Sequence, residues 1–335
     1  MLNQKKLILL TLGLIALFII IFFQLERWPK YTIKPEYKAI VDQSLKQYKE
    51  TDQDYRTFLC EYNYIGNYLN FDIKYDDSEK FQFDSEGIPQ VKYGDKYYYN
   101  PVTVSQYALS LYNKYLNGEN VLQDFLTAVE KLIAMQDDSG AFRYSFPYKY
   151  SVTGELLQPG WVSGMAQGQA LSVFARAYNV TKNKRYLEAG NKSLAFLTTP
   201  VSEGGVMDTL EDLNPSLKKY IIFEEYIADP ATYTLNGYMF TLLGLYDWSQ
   251  IISGEERKIS NKYFNLGIKT LIKILPYYDI GGFTTYDMSH ITHKTEPHVV
   301  YRYHTIHIYL LHALYTVTNN ETLHNYEQLW ASYVD

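Results

Sequence analysis

The sequence predicts a mainly α-helical protein: an incomplete α/α toroid of about four helical hairpins, preceded by a small antiparallel β region and an amino-terminal transmembrane helix. Three observations predict it. Apolar residues recur at helical spacing in eight segments after Pro101. Those segments fall into pairs joined by short polar turns, and the pairs are joined by long segments that resemble one another. Before Pro101 the chain passes from one long apolar run, through a polar stretch, to alternating aromatic and β-branched residues.

The apolar run is Leu7 to Leu25, preceded by Lys5 and Lys6. At helical rise it spans about 28 Å, close to the ~30 Å hydrocarbon core. A cleaved signal peptide usually has a shorter apolar region and a small-residue cleavage site, so residues 1–25 read as an uncleaved membrane anchor. The lysines favour a cytoplasmic amino terminus, with the body extracytoplasmic or lumenal. Residues 26–54 are polar, contain Pro29 and Pro35, and read as a stalk with one short helix from Tyr37 to Glu50. Residues 55–100 read as a β region of two to four strands, because Phe81 and Phe83 alternate with polar neighbours and Gly94-Asp95 is turn chemistry.

Residues 101–335 form the helical domain. Its predicted hairpins pair 102–116 with 121–135, 165–180 with 186–197, 235–252 with 259–275, and 306–317 with 323–333. The long connections QDDSGAFRYSFPYKY, SEGGVMDTL with IFEEY, and YYDIGGFTTYD each set glycine beside apolar and aromatic residues. In such an array the long loops gather at one end, which is where a site is to be sought.

The 335 residues, 47% hydrophobic, suffice for one large or two modest domains with a full core. Cys60 is the sole cysteine, so no internal disulfide can form. A net charge of -6 argues against nucleic acid as partner, and an acidic polymer would need cations gathered locally. The 35 tyrosines suit a groove that stacks on sugar faces, although general residue bias explains them equally well.

Three groups of residues could carry chemistry. The first is Arg143, Tyr144, Trp161, Gln167 and Gln169, an aromatic and amide set able to stack and hydrogen-bond a sugar, or else core and caps. The second is Glu224-Glu225-Tyr226, shortly before Asn236. Adjacent carboxylates point in different directions on a regular backbone, so at most one faces a given site. The third runs from Gly281 to His312 and holds Tyr286, His290, Arg302, Tyr303, His304 and His307. Phenols and imidazoles exchange protons readily; amphipathic core residues are the plain alternative. His304 and His307 lie on one helical face, but neither cysteine nor an HExxH pattern accompanies them, and no metal is expected. No phosphate-binding loop, GxGxxG or GxSxG occurs, which sets aside kinases, dehydrogenases and common hydrolases.

The motifs PGWVSGMAQGQALSVFARAY, FEEYIADPATYTLNGYMFTLLGLYD, LPYYDIGGFTTYDMSH and YRYHTIHI resemble the carboxy-terminal helical domain of the D-glucuronyl C5-epimerase family. That resemblance implies an α/α barrel preceded by β structure, a type II anchor, an acidic polysaccharide in a cleft over the loops, a homodimer, and inversion of glucuronate to iduronate without a cofactor. By motif it assigns the catalytic acid to Glu225 and further catalytic roles to Tyr226, Tyr286 and Tyr303. Arg143, Tyr144, Trp161, Gln167, Gln169, Asn236, His290, Arg302 and His304 are the candidate substrate contacts. Two departures stand out: Ser289 precedes His290 where the family has arginine, and the β region is short.

The chemistry agrees with that assignment. Inverting C5 removes a proton α to a carboxylate and returns one to the opposite face, which needs two acid/base groups flanking the ring and donors on the carboxylate. A polysaccharide lyase would form the same carbanion. A glycoside hydrolase would need a second carboxylate, and a tethered glycan-binding protein would need no chemistry.

Overall fold

The computed structural model describes residues 35–51, 54–71, 73, 75 and 77–335. The anchor predicted at 7–25 and the first part of the stalk lie outside the described residues. Among those described, no helix is long and apolar enough to cross a membrane.

The protein is mainly helical with small antiparallel sheets. Helix α1 (Lys38–Lys49) falls in the stretch read as a stalk, and it is docked: Val41 is fully buried with Ile280 and Phe283. Strands β1 (Phe81–Phe83), β2 (Pro89–Tyr93) and β3 (Lys96–Tyr98) form an antiparallel meander, with Phe81 opposite Val91 and Val91 opposite Tyr98. Gly94-Asp95 makes the two-residue turn between β2 and β3, and Gly94 has the positive φ such a turn demands.

Four helical hairpins follow: α2 (Pro101–Leu116) with α3 (Leu122–Met135), α4 (Gly164–Thr181) with α5 (Lys184–Leu197), and α6 (Leu235–Ile251) with α7 (Gly254–Tyr278). The one-turn α8 (Ser289–Thr292) precedes the last pair, α9 (Tyr301–Thr318) with α10 (Glu321–Ala331). Local chemistry sets their ends. Asn100 accepts from the amides of Val102 and Thr103 ahead of Pro101, and Asn183 and Asn320 cap α5 and α10 in the same way. Lys182 and Asn319, at φ 56° and 51°, end α4 and α9 in the left-handed conformation that turns a hairpin tightly. Helix α9 begins five residues earlier than its periodicity predicts, because its first turn does not face the main core: Arg302 and Tyr303 line a cavity, and Tyr301 packs on the small cluster of Val41, Ile280 and Phe283.

The first helix of each pair faces inward, and α2, α4, α6 and α9 lie side by side in that order. The α4–α6 contact is very close. A Cβ on Gly168, in the MAQGQA stretch, would sit 2.4 Å from Thr241 Cα, and one on Gly244 1.9 Å from the Gly168 carbonyl oxygen, so glycine at both positions is a packing requirement. Between α9 and α2 runs the chain from Tyr55 to Phe71. Phe58 and Phe71 meet Tyr309, with centroids 5.1 and 6.4 Å apart, while Asn113 of α2 holds the backbone of Tyr68 and Phe71. A fully buried ion pair, Arg176 to Asp247 at 2.7 Å, joins α4 to α6 and is tied to this segment through Tyr62 and the Asn63 carbonyl.

The three similar long connections also share a structural feature. Each is closed by a backbone bridge, at Gln136–Phe142, Pro200–Met207 and Asp279–Thr284. Two add short ribbons that sequence periodicity does not reveal: β4 (Tyr148–Lys149) with β5 (Leu156–Leu157), and β6 (Met207–Thr209) with β7 (Ile221–Phe223). Strands this short carry too few residues to display a two-residue alternation.

Candidate active site

A cavity of about 740 Å³ opens where the inner helices begin. All four amino-terminal ends reach its wall: Asn100 and Val102 from α2, Ser163 and Met165 from α4, Asn236 from α6, Val300 and Arg302 from α9. The positive ends of four helix dipoles therefore border one space, which favours an anion even in a protein of net negative charge.

Glu225 enters this space just after β7. It is 7% exposed, and burial raises its carboxyl to about 7, against the pull of the Tyr226 and Tyr286 phenols and the nearby Gly237 amide. Its Oε1 accepts a hydrogen bond from the Tyr286 hydroxyl at 3.3 Å. The preceding Glu224 points away from the cavity, 1% exposed. There burial and the charges of Asp208 and Asp212 push its carboxyl well above the usual range. The alternation expected for adjacent residues thus leaves one carboxylate in the site. Gly237 lets it fit, since a Cβ there would lie 2.1 Å from Glu225 Oε2.

Tyr303 lines the same cavity from the first turn of α9. Its ring leans on Tyr286, with centroids 4.5 Å apart, and burial together with the Glu225 charge raises its phenol to about 12. Tyr226 and Tyr286 are pushed well above the ordinary value by burial, so all three phenols are proton donors at neutral pH and Glu225 is the group poised to accept. Tyr226 continues an aromatic wall. Tyr150 stacks on it at 4.5 Å and Tyr148 at 5.6 Å; beyond Tyr148 lies Trp161, itself stacked on Tyr144 at 3.6 Å. The indole N–H of Trp161 is committed to the Phe146 carbonyl, which leaves the ring face as its contribution.

Of the residues singled out from sequence, the cavity gathers Glu225, Tyr226, Tyr303, Tyr144, Trp161, Asn236 and Arg302, with Tyr286 immediately behind Glu225. Five lie elsewhere. Arg143 is exposed and bound to Asp137 at 2.7 Å, so it is no cation for this site. Gln167 is fully buried and its amide braces the Gly140 carbonyl and Phe142 amide at 3.1 and 2.9 Å. Gln169, also fully buried, faces the Tyr68 phenol in the core. His290 sits on α8 outside the cavity wall.

His304 is corrected in charge as well as place. It is wholly buried, and burial lowers its pKa to about 3. Its Nε2 faces the Trp330 carbonyl at 3.0 Å and must donate, so its Nδ1 accepts from the Thr284 hydroxyl at 2.9 Å. Thr284 can then only accept from His307 Nδ1, also at 2.9 Å. Both nitrogens of His304, and Nδ1 of His307, are thus engaged in holding the loop before α8, and burial keeps both imidazoles from serving as substrate cations.

Sequence reasoning passed over Lys80, Tyr148, Asn100 and Gln106, all on the cavity wall. Tyr148 stands inside the first quoted loop and Lys80 directly before the alternating pair Phe81 and Phe83, but nothing local distinguishes them from surface residues.

Comparison with known proteins bears on the same region. The family described as D-glucuronyl C5-epimerase C-terminus matches residues 136–332. A D-glucuronyl C5-epimerase of Caenorhabditis elegans is 32% identical over 221 residues, 62% of this chain and 34% of that protein, so the chain spans about a third of this relative's length. An uncharacterized protein of Methanocaldococcus jannaschii is 25% identical over 276 residues, 75% of this chain and 84% of its own. Among solved structures, a polysaccharide lyase superposes with a TM-score of 0.43 at 14% identity, covering 90% of this chain and 71% of that one.

Proposed function

We propose that this chain, which belongs to the D-glucuronyl C5-epimerase C-terminus family, inverts C5 of D-glucuronate to L-iduronate within a polysaccharide of glycosaminoglycan type. The observation that carries the reading is that Glu225 and Tyr303 come from separate elements to line one cavity, with the carboxyl raised to about 7 and the phenol kept protonated.

The proton at C5 lies α to a carboxylate, and its removal builds a second negative charge on that group. The reaction is feasible only if donors meet the charge as it develops. The Tyr226 phenol and the Arg302 guanidinium are the donors on the wall, and the positive ends of the four helix dipoles add to the field they set up. Glu225, ionised, takes the C5 proton from one face. Tyr303 supplies a proton to the other face. The resulting pair, neutral Glu225 and a Tyr303 phenolate, is reset through Tyr286, whose hydroxyl already contacts Glu225 Oε1 and whose ring touches Tyr303. The aromatic wall from Tyr144 to Tyr226 suits the C–H faces of pyranose rings.

On the same reading the four hairpins are an arc of an α/α toroid. The body is held by the anchor at residues 7–25 outside the cytoplasm and pairs as a homodimer. Incubation with an unsulfated glucuronate polymer in heavy water tests the activity. Deuterium should appear at C5 without chain shortening, and Y303F should lower that rate by about 10²- to 10⁴-fold. Ultraviolet-absorbing unsaturated uronates would mean elimination instead, and a wild-type protein that binds polymer without exchange would mean no chemistry at all.

A further inference from the structure

Helix α1 contributes none of the described residues that line the cavity, yet it is firmly docked. Tyr37, Val41, Leu45 and Tyr48 recur at helical spacing and form its inward face, with Val41 wholly buried at the centre. That face covers two segments: the loop through Ile280 and Phe283, and the first residue of α9, Tyr301. Each segment goes on at once to a phenol of the site. Tyr286 follows Phe283 by three residues, and Tyr303 follows Tyr301 by two.

The two segments are also joined to each other. The Phe283 ring packs on the His304 ring with centroids 4.2 Å apart, and the Thr284 hydroxyl meets Nδ1 of His304 and of His307 at 2.9 Å each. Tyr286 and Tyr303 are in ring contact at 4.5 Å. Loop and helix start therefore form one body, with α1 behind it and the cavity in front. Glu225 is placed by other elements, the end of β7 and Gly237 in the first turn of α6.

We propose that α1 is a positioning element for the reaction, and that Val41 is its central residue: it fixes the body that carries Tyr286 and Tyr303 at the right distance from Glu225. The inference rests on the epimerase reading. Inversion needs groups on both faces of C5 at once, and a displacement of about an ångström can cost on the order of 10²-fold. A void in place of the Val41 side chain, which the surroundings refill only in part, lets the phenol-bearing body shift while Glu225 stays where it is.

The test gives the full chain an unsulfated glucuronate polymer in heavy water and counts, at initial rates, C5-deuterated residues that have inverted and those that have not. Retained label needs only Glu225, which removes the proton, exchanges it with solvent and returns a deuteron to the same face. Inverted label needs Tyr303 as well. V41A should lower kcat for inversion about tenfold, leave KM within about twofold, and lower the ratio of inverted to retained label about fivefold. L45A, at the half-buried edge of the same face, should shift the ratio in the same direction by less. V41I keeps the contact and should stay within about twofold of the wild type.

Equal losses of inverted and retained label would mean a merely structural helix and overturn the proposal. So would a rise in KM with kcat unchanged, or no change in either truncation. Should V41A lose its helical circular dichroism, the ratio in L45A decides. A wild-type protein that neither inverts nor exchanges would instead overturn the epimerase reading, and the positioning role with it.

Discussion

Gly237 and Glu225 are fitted to each other: Oε2 of the carboxylate occupies the space where any other residue at 237 would carry its Cβ, 2.1 Å away. The first turn of α6 thus sets the depth to which the carboxyl enters the cavity. The substitution G237A should displace it by about an ångström and lower C5 exchange on the order of 10²-fold. Circular dichroism should report an intact helical fold. Unchanged exchange would mean that the position of Glu225 is not critical.

The carboxyl of Glu225, raised to about 7, must be ionised to act as base. Exchange should therefore rise with pH through a limb centred near 7. Tyr286 holds that value down by donating to Oε1, so Y286F should move the limb to higher pH as well as lower the rate. A limb that stays put, or moves the other way, would remove Tyr286 from contact with the base.

The same group leaves a trace in stability. Because burial raises its folded value above the ordinary 4.5, the native state holds more protons than the unfolded one between about 4.5 and 7. The wild type should lose stability as pH rises through that window and then level off. E225Q has nothing to ionise there, so its melting temperature relative to wild type should climb across the window. A difference that does not vary with pH would contradict the burial assigned to Glu225.

His304 acts with the opposite sign. Its folded value near 3 lies below the ordinary 6.5, so the unfolded state binds more protons as pH falls from about 6.5 toward 3, and stability drops over that range. His307, also held neutral by burial, adds to the slope. H304Q should flatten stability against pH by about one proton in denaturant titrations. An unaltered slope would show that His304 is not the buried neutral group described.

Asp247 pairs with Arg176 where neither is exposed. D247A strands a buried guanidinium and should cost about 3–5 kcal/mol of unfolding free energy. Replacing both by apolar residues of similar volume should recover much of that loss. A small cost for D247A alone would mean that water reaches the pair.

How much of this was legible in the chain follows from the range of the interactions involved. Helical periodicity and turn residues are local, and they placed four hairpins within about five residues of where they stand; of the β region expected over 55–100, only 81–98 forms strands. The motif resemblance singled out Glu225, Tyr226, Tyr286 and Tyr303, and these do come together. Residues chosen for side-chain type alone fared differently. Arg143 found a nearer partner in Asp137, and Gln167 and His304 were taken up by loop backbone, because a polar group that becomes buried is claimed by the first unpaired donor or acceptor beside it.

By itself, then, the sequence determined which segments are helices, how they pair, and which carboxyl and phenols belong to one motif set, since all of these depend on neighbours in the chain. Only the tertiary structure decided that Glu224 is buried away from the cavity, that four helix ends border it, and that Lys80 stands on its wall. Those depend on which distant segments share a volume, and on the desolvation that results, which no local pattern encodes.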